Sequence, residues 1–187
     1  MASRNGTSRP TGTDGNDYMH REKVASDYEI SVETKKFVRY SIWMHLMMAC
    51  IIVVQMIFYF GNKYFSELVE FPEVPKPNLW EYIWLTSLVP AIAGYFSLNR
   101  SRKSLLKFYY VGTVVLGLGP ILSTMLFNAS DLLEYAQTKQ TANTYHDFPI
   151  IVLWYMYLFV VVQIHAFGIY FSRVLLKVWN KDIKKRR

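Results

Sequence analysis

Apolar side chains are unevenly spread along the 187 residues of this chain. The first 36 residues are mostly polar, charged or small, and beyond them come four long apolar runs joined by short polar connections. Ser41 to Phe60 is a run of 20 residues without Asp, Glu, Lys or Arg. At about 1.5 Å rise per residue, such a helix covers about 30 Å, the hydrocarbon thickness of a bilayer. Tyr82 to Leu98 is also free of charge and gives a second span over about 80–98, with Glu81 at its edge and Trp80, Tyr82 and Trp84 where interfacial aromatics sit. The third run, 108–127, contains Gly112, Gly117, Gly119 and Pro120, which neighbouring helices can accommodate, and a kink is expected near Pro120. The fourth, 148–171, is the longest and can tilt or protrude. The pattern predicts an all-α, four-span transmembrane helix bundle occupying 41–171.

The flanks follow different rules. Residues 1–17 are rich in Gly, Ser, Thr, Asn and Asp, a composition expected to stay disordered. Within 18–40, Val24, Tyr28 and Val32 recur at four-residue steps among charged neighbours, the pattern of a juxtamembrane amphipathic helix. It fits an interfacial helix running into the first span and a solvated helix with no lipid role equally well. In the basic tail, 172–187, Arg173, Lys177 and Lys181 alternate with Val174, Leu175, Leu176, Val178 and Trp179. A helix lying with its apolar side on the headgroups would explain the mixture, its charges favouring anionic lipid by about 1 kcal/mol each.

Composition sharpens this picture once it is located. The chain is 52% hydrophobic and 17% aromatic, and the excess sits in the four runs, as in a membrane protein rather than a water-soluble core. Of 21 Lys and Arg residues, seven precede the first span, four lie between Asn99 and Lys107, and seven follow the last span, leaving Lys63, Lys76 and Lys139 on the other side. The positive-inside rule then puts both termini and the 99–107 connection in the cytosol. The opposite loops carry Glu67, Glu70, Glu73, Asp131, Glu134 and Asp147. The formal charge of +7 thus reads as an orientation signal, and no nucleic-acid partner is expected, because the basic residues flank spans without a stacking platform. The single cysteine, Cys50, precludes an internal disulfide and a multi-thiolate zinc site. The N-terminus lacks the features of a cleaved secretory signal and Ala2 excludes glycine myristoylation, so the first span is expected to act as the targeting anchor.

Polar side chains inside the runs are the candidates for chemistry. His45 and Gln55 in the first span, and Gln163 and His165 in the fourth, would be the most penalised by lipid. They could line a small channel or transporter, with histidine carrying protons, or simply bond between helices, at about 0.6 kcal/mol each in membrane bundles. No histidine or acidic ladder links the two faces, which favours packing. Nucleophile elbows, phosphate-binding loops, metal-spaced His and acid clusters and intramembrane carboxylate pairs are all missing from the sequence, so no catalytic residue, cofactor or metal is expected. The sequons at Asn5 and Asn128 are expected to be unmodified, the first being cytosolic and the second abutting the membrane.

Lys184 and Lys185 stand fourth and third from the end of the sequence, the Lys-Lys-x-x spacing by which the coatomer coat retrieves membrane proteins to the endoplasmic reticulum. Such an address needs an exposed cytosolic end, which the charge distribution supplies independently.

Several stretches together resemble one family. Met1-Ala2-Ser3-Arg4, Gly12-Thr13-Asp14-Gly15, His20-Arg21-Glu22, Val24-Ala25, Tyr28 and Ser31-Val32 come first. Trp80-Glu81-Tyr82, Ser87-Leu88 and Pro90 follow around the second span, then Gln163, His165-Ala166, Tyr170, Ser172 and Leu175-Leu176. The chain is similar in these stretches, and in length and spacing, to the Jagunal family of small endoplasmic-reticulum membrane proteins of animals. The resemblance implies a non-enzymatic role in organising the endoplasmic reticulum and in vesicle traffic through the early secretory pathway. It also implies a lysine-rich tail that associates with coatomer, secretory cargo or membrane proteins as further partners, and no catalytic residue.

Overall fold

A computed structural model describes residues 15–140 and 143–184 of the chain. The fold is all-α apart from one two-residue-per-strand hairpin. In chain order come α1 (Gly15–Phe65), α2 (Leu79–Leu85), α3 (Leu88–Asn99), α4 (Lys103–Gly112), a π-helical segment (Thr113–Leu118), α5 (Gly119–Phe127), α6 (Ala129–Thr138), β1 (Thr144–Tyr145), β2 (Phe148–Pro149) and α7 (Ile150–Lys184).

Three helical stretches among the described residues are long and apolar enough to cross a membrane: Arg21–Phe65, Lys103–Phe127 and Ile150–Asn180. The expected second span is a helix in two pieces. Pro90 has no N–H to give to the carbonyl of Thr86, its i−4 position. That carbonyl accepts instead from Val89 N at 3.2 Å, while Thr86 N and Ser87 N bond back to Ile83 O and Trp84 O, and the helix restarts at Leu88. Near Pro120 the structure has a π-helical segment in the preceding turn, where the extra residue absorbs the missing donor.

The ends differ from a simple reading of the pattern. The helix expected over 18–40 runs directly into the first span: one uninterrupted helix extends from Gly15 to Phe65. Of the expected disordered stretch, 1–14 lies outside the described residues, and the helix begins at Gly15. The buried stripe on its N-terminal half is Asp27, Ser31, Thr34 and Val38, whereas Val24, Tyr28 and Val32 are exposed. Polar side chains face inward here because Trp179 of α7 bonds Ser31 Oγ from its indole N–H at 3.0 Å. The last helix likewise continues through the basic tail as far as Lys184, so the two flanks run on from their spans and pack on each other.

Two elements lie where the pattern suggested only loops. α6 caps the end of α5, and β1 and β2 pair antiparallel through His146 and Asp147, both at positive φ (47 and 63) as in a type I′ turn. The fourth helix accordingly starts at Ile150, two residues inside the expected boundary.

The core forms two apolar clusters stacked along the helix axes. One contains Val38, Ile42, Ala91, Leu98, Leu106, Tyr109, Leu175, Val178 and Trp179. The other contains Ala49, Ile52, Trp84, Ile121, Leu158 and Val161. Glycine permits the closest approaches: a Cβ on Gly112 would stand 2.4 Å from Pro90 Cβ, and one on Gly94 or Gly168 would meet the Tyr109 side chain within 2.7 Å. Large apolar side chains such as Met44, Met47, Ile51, Phe96, Val115, Phe159 and Phe167 remain exposed on the outside, the arrangement of helices whose outer surface is solvated by lipid.

Candidate functional site

A polar layer separates the two apolar clusters. On α1, His45 follows Ile42 by three residues and precedes Ala49 by four, so it falls on the same inward stripe. His165 holds the equivalent place on α7 between Val161 and Leu175, and Ser87 sits at the α2–α3 break between Trp84 and Ala91. All three are buried, at 3%, 2% and 1% exposure.

Within this layer the His45 and His165 rings meet edge to face, with centroids 4.6 Å apart. The Trp84 indole N–H donates to His165 Nε2 at 3.0 Å, which makes that nitrogen the acceptor because indole can only donate. Ser87 Oγ pairs with His45 Nε2 at 3.0 Å. The helical break is what brings Ser87 there. Gly117, in the π-helical segment, lies under the His165 ring, where a Cβ would be 3.0 Å from Cε1. Four stretches of the chain therefore converge on one pair of imidazoles.

The other expected polar positions do not join this layer. Gln55 donates from Nε2 to Pro75 O at 3.3 Å, fastening the 66–78 connection along α1. Gln163 is exposed on the outer face of α7. Trp84, expected at the interface, is fully buried and serves as hydrogen-bond donor in the core. The sequence marked Trp84 only as an interfacial aromatic and Ser87 only within the family resemblance; the spacing of Ser87, three residues after Trp84 and four before Ala91 on a charge-free helix, was the available signal that they share a face.

At the end of the bundle rich in Lys and Arg, a cavity of about 620 Å³ is bordered by Asp27, Ser31, Lys35, Arg100, Lys103 and Trp179. Lys35 Nζ donates to Ser101 Oγ at 2.9 Å and lies 5.6 Å over the Trp179 ring. Ser101 adopts φ 50, and Arg102 N bonds Ser97 O, the geometry that closes α3 and turns the chain into α4. As for the tail, Lys184 is the last residue of α7 and Lys185 lies outside the described residues. No group of three or more His, Cys, Asp or Glu residues that could hold a metal occurs among the described residues.

A family model described as "Jagunal, ER re-organisation during oogenesis" matches residues 1–183. The chain belongs to the Jagunal family. It is 31% identical to protein jagunal homolog 1 of Homo sapiens, over 100% of this chain and 99% of that protein. It is 28% identical to protein jagunal of Drosophila melanogaster, over 100% and 99%, and 28% identical to the protein jagunal homolog of Caenorhabditis elegans, over 91% and 94%. The Jagunal match therefore takes in the polar layer, the basic cavity and the hairpin alike, and the family description names no chemical reaction.

Proposed function

We propose that this chain is a four-span protein of the endoplasmic-reticulum membrane, with both ends in the cytosol, that organises the reticulum and supports early secretory vesicle traffic without catalysis. The observation carrying this reading is the match over residues 1–183 to a family described by reorganisation of that organelle. The fourth crossing is supplied by α2 and α3 together, a broken helix free of charge from Tyr82 to Asn99 and packed against α1 and α4. The concentration of Lys and Arg at one end of that four-span arrangement supports the orientation.

In this reading Lys184 and Lys185 are recognised by coatomer, and the protein brings the coat to membrane or to secretory cargo. The flanks of α1 and α7 pack on each other as far as Trp179, and α7 continues to Lys184. The test compares an N-terminally tagged chain with its Lys184→Ser, Lys185→Ser variant in cells, together with coatomer capture by the two tails. Escape of the variant to the Golgi with loss of capture is the expected result. Unchanged reticular localisation without capture would reduce both lysines to orientation anchors.

A small channel or transporter is the second reading, and the buried His45–His165 contact is the observation in its favour. The apolar clusters on either side of that layer count against a continuous polar path. Proton flux in reconstituted vesicles that vanishes with His165→Ala would establish it; electrically silent vesicles would dismiss it.

A further inference from the structure

Near the hairpin end of the bundle lies a cavity of about 300 Å³, at the lower end of the range for small-ligand pockets, about 300–1,000 Å³. Its walls come from distant parts of the chain. Gln55 of α1 fastens the returning connection at Pro75, α2 contributes Trp80 and Glu81, the hairpin contributes Tyr145, and α7 contributes Trp154 and Tyr157. Neither Lys nor Arg is among the residues lining it.

Glu81 is 0% exposed, a costly place for a carboxyl group unless its oxygens are matched. Asn78 Nδ2 donates to Oε1 at 3.2 Å, and Oε2 has no hydrogen-bond partner. The Trp80 indole N–H, on the same wall, is also buried without an acceptor. Trp80 and Tyr157 face each other at 6.4 Å between centroids with planes inclined by 50°, and Tyr145 and Trp154 add two more rings. The faces of such rings carry negative potential and attract cations, most strongly where water is excluded.

We propose that this cavity binds an organic ammonium group, the cation lying among the rings with Glu81 Oε2 as its counter-charge, and an oxygen of the same molecule accepting from Trp80 Nε1. A zwitterionic molecule joining an ammonium to a phosphate answers both unmatched atoms at once. That chemistry is offered by the headgroups of phosphatidylethanolamine and phosphatidylcholine and by soluble phosphocholine. The inference goes beyond the trafficking role and stands on the cavity alone, whatever the number of crossings or the compartment of the termini.

The purified full chain in neutral detergent is given equal amounts of phosphatidylethanolamine, phosphatidylcholine and phosphatidylglycerol, and retained lipid is measured by native mass spectrometry. Preference for the two ammonium lipids over phosphatidylglycerol by roughly tenfold is expected, collapsing in Glu81→Gln. Trp154→Leu, which keeps the carboxyl group, is expected to weaken the same preference and serves if Glu81→Gln does not fold. Phosphocholine binding, measured by calorimetry and sensitive to Glu81→Gln, would assign the cavity to a soluble ammonium if no lipid preference is seen. Equal retention of all three lipids without phosphocholine binding would overturn the proposal, as would a lipid preference that survives both substitutions.

Discussion

Trp84 has one polar atom, an indole N–H, and in the interior of a bundle that atom must find an acceptor. It finds His165 Nε2 at 3.0 Å, and the same imidazole packs on His45 and over Gly117. Replacing His165 with Phe keeps an aromatic ring but strands the Trp84 donor, which is expected to cost about 1–3 kcal/mol. Trp84→Phe removes the donor and leaves His165 free to turn, so the loss is expected to be smaller. Thermal unfolding in mild detergent checks the order of the two variants, and equal, negligible shifts would count against the layer as a structural element. Gly112→Val tests packing by the opposite route, since even a Cβ would stand 2.4 Å from Pro90; overpacking of about 1–3 kcal/mol is expected, read as a lower unfolding temperature than wild type. At this scale the imidazoles were legible because histidine in an apolar run is anomalous in itself. Their partners were not, because a Trp near the end of a span reads the same whether it turns outward to the interface or inward to a histidine. Gln163 shows the converse: it carries the same polar signal as His165, two residues away, yet faces outward.

The helices owe their shapes to a few breakers. Pro90 divides α2 from α3 and frees Ser87 to reach His45, and the π-helical segment ahead of Pro120 places Gly117 beneath His165. Both prolines were visible in the sequence, but the form of each break was set by what the surrounding helices could accept. The long flanks of α1 and α7 hold together through Trp179, whose indole bonds Ser31 and whose face receives Lys35. Trp179→Ala is expected to speed amide hydrogen exchange over residues 24–40 while leaving 45–55 unchanged; uniform acceleration along α1, or none, would contradict a clamp confined to this end. The alternation of charge and apolar residues in these flanks suggested surface helices, because sequence periodicity shows a face without showing what covers it. Asp27, Ser31 and Thr34 lie on the inward stripe, where the Trp179 indole N–H of the other flank donates to Ser31 Oγ. The hairpin was less legible still: His146-Asp147 lacks the Asn-Gly pattern that normally marks a type I′ turn.

For the whole molecule, the absence of charge from four runs carried most of the information, since lipid tolerates few exceptions. The all-α architecture and the three uninterrupted membrane-length stretches follow from it directly. What composition left open was how the runs meet, and the polar layer depends on that meeting, with one residue or more from each of four distant stretches. The proposed role rests on a cytosolic face built from both termini and the turn at Ser101, opposite a second face carrying α6 and the hairpin. Single-cysteine labelling in sealed microsomes addresses this most directly. Cys50 is replaced by Ser, and a cysteine is placed at Ser101 or at Ser130 in otherwise unchanged full-length chains. A membrane-impermeant maleimide added outside is expected to modify the Ser101→Cys chain at once and the Ser130→Cys chain only after the membrane is opened. Labelling of both positions in sealed vesicles, or of Ser130→Cys alone, would contradict the four-span arrangement with both ends in the cytosol.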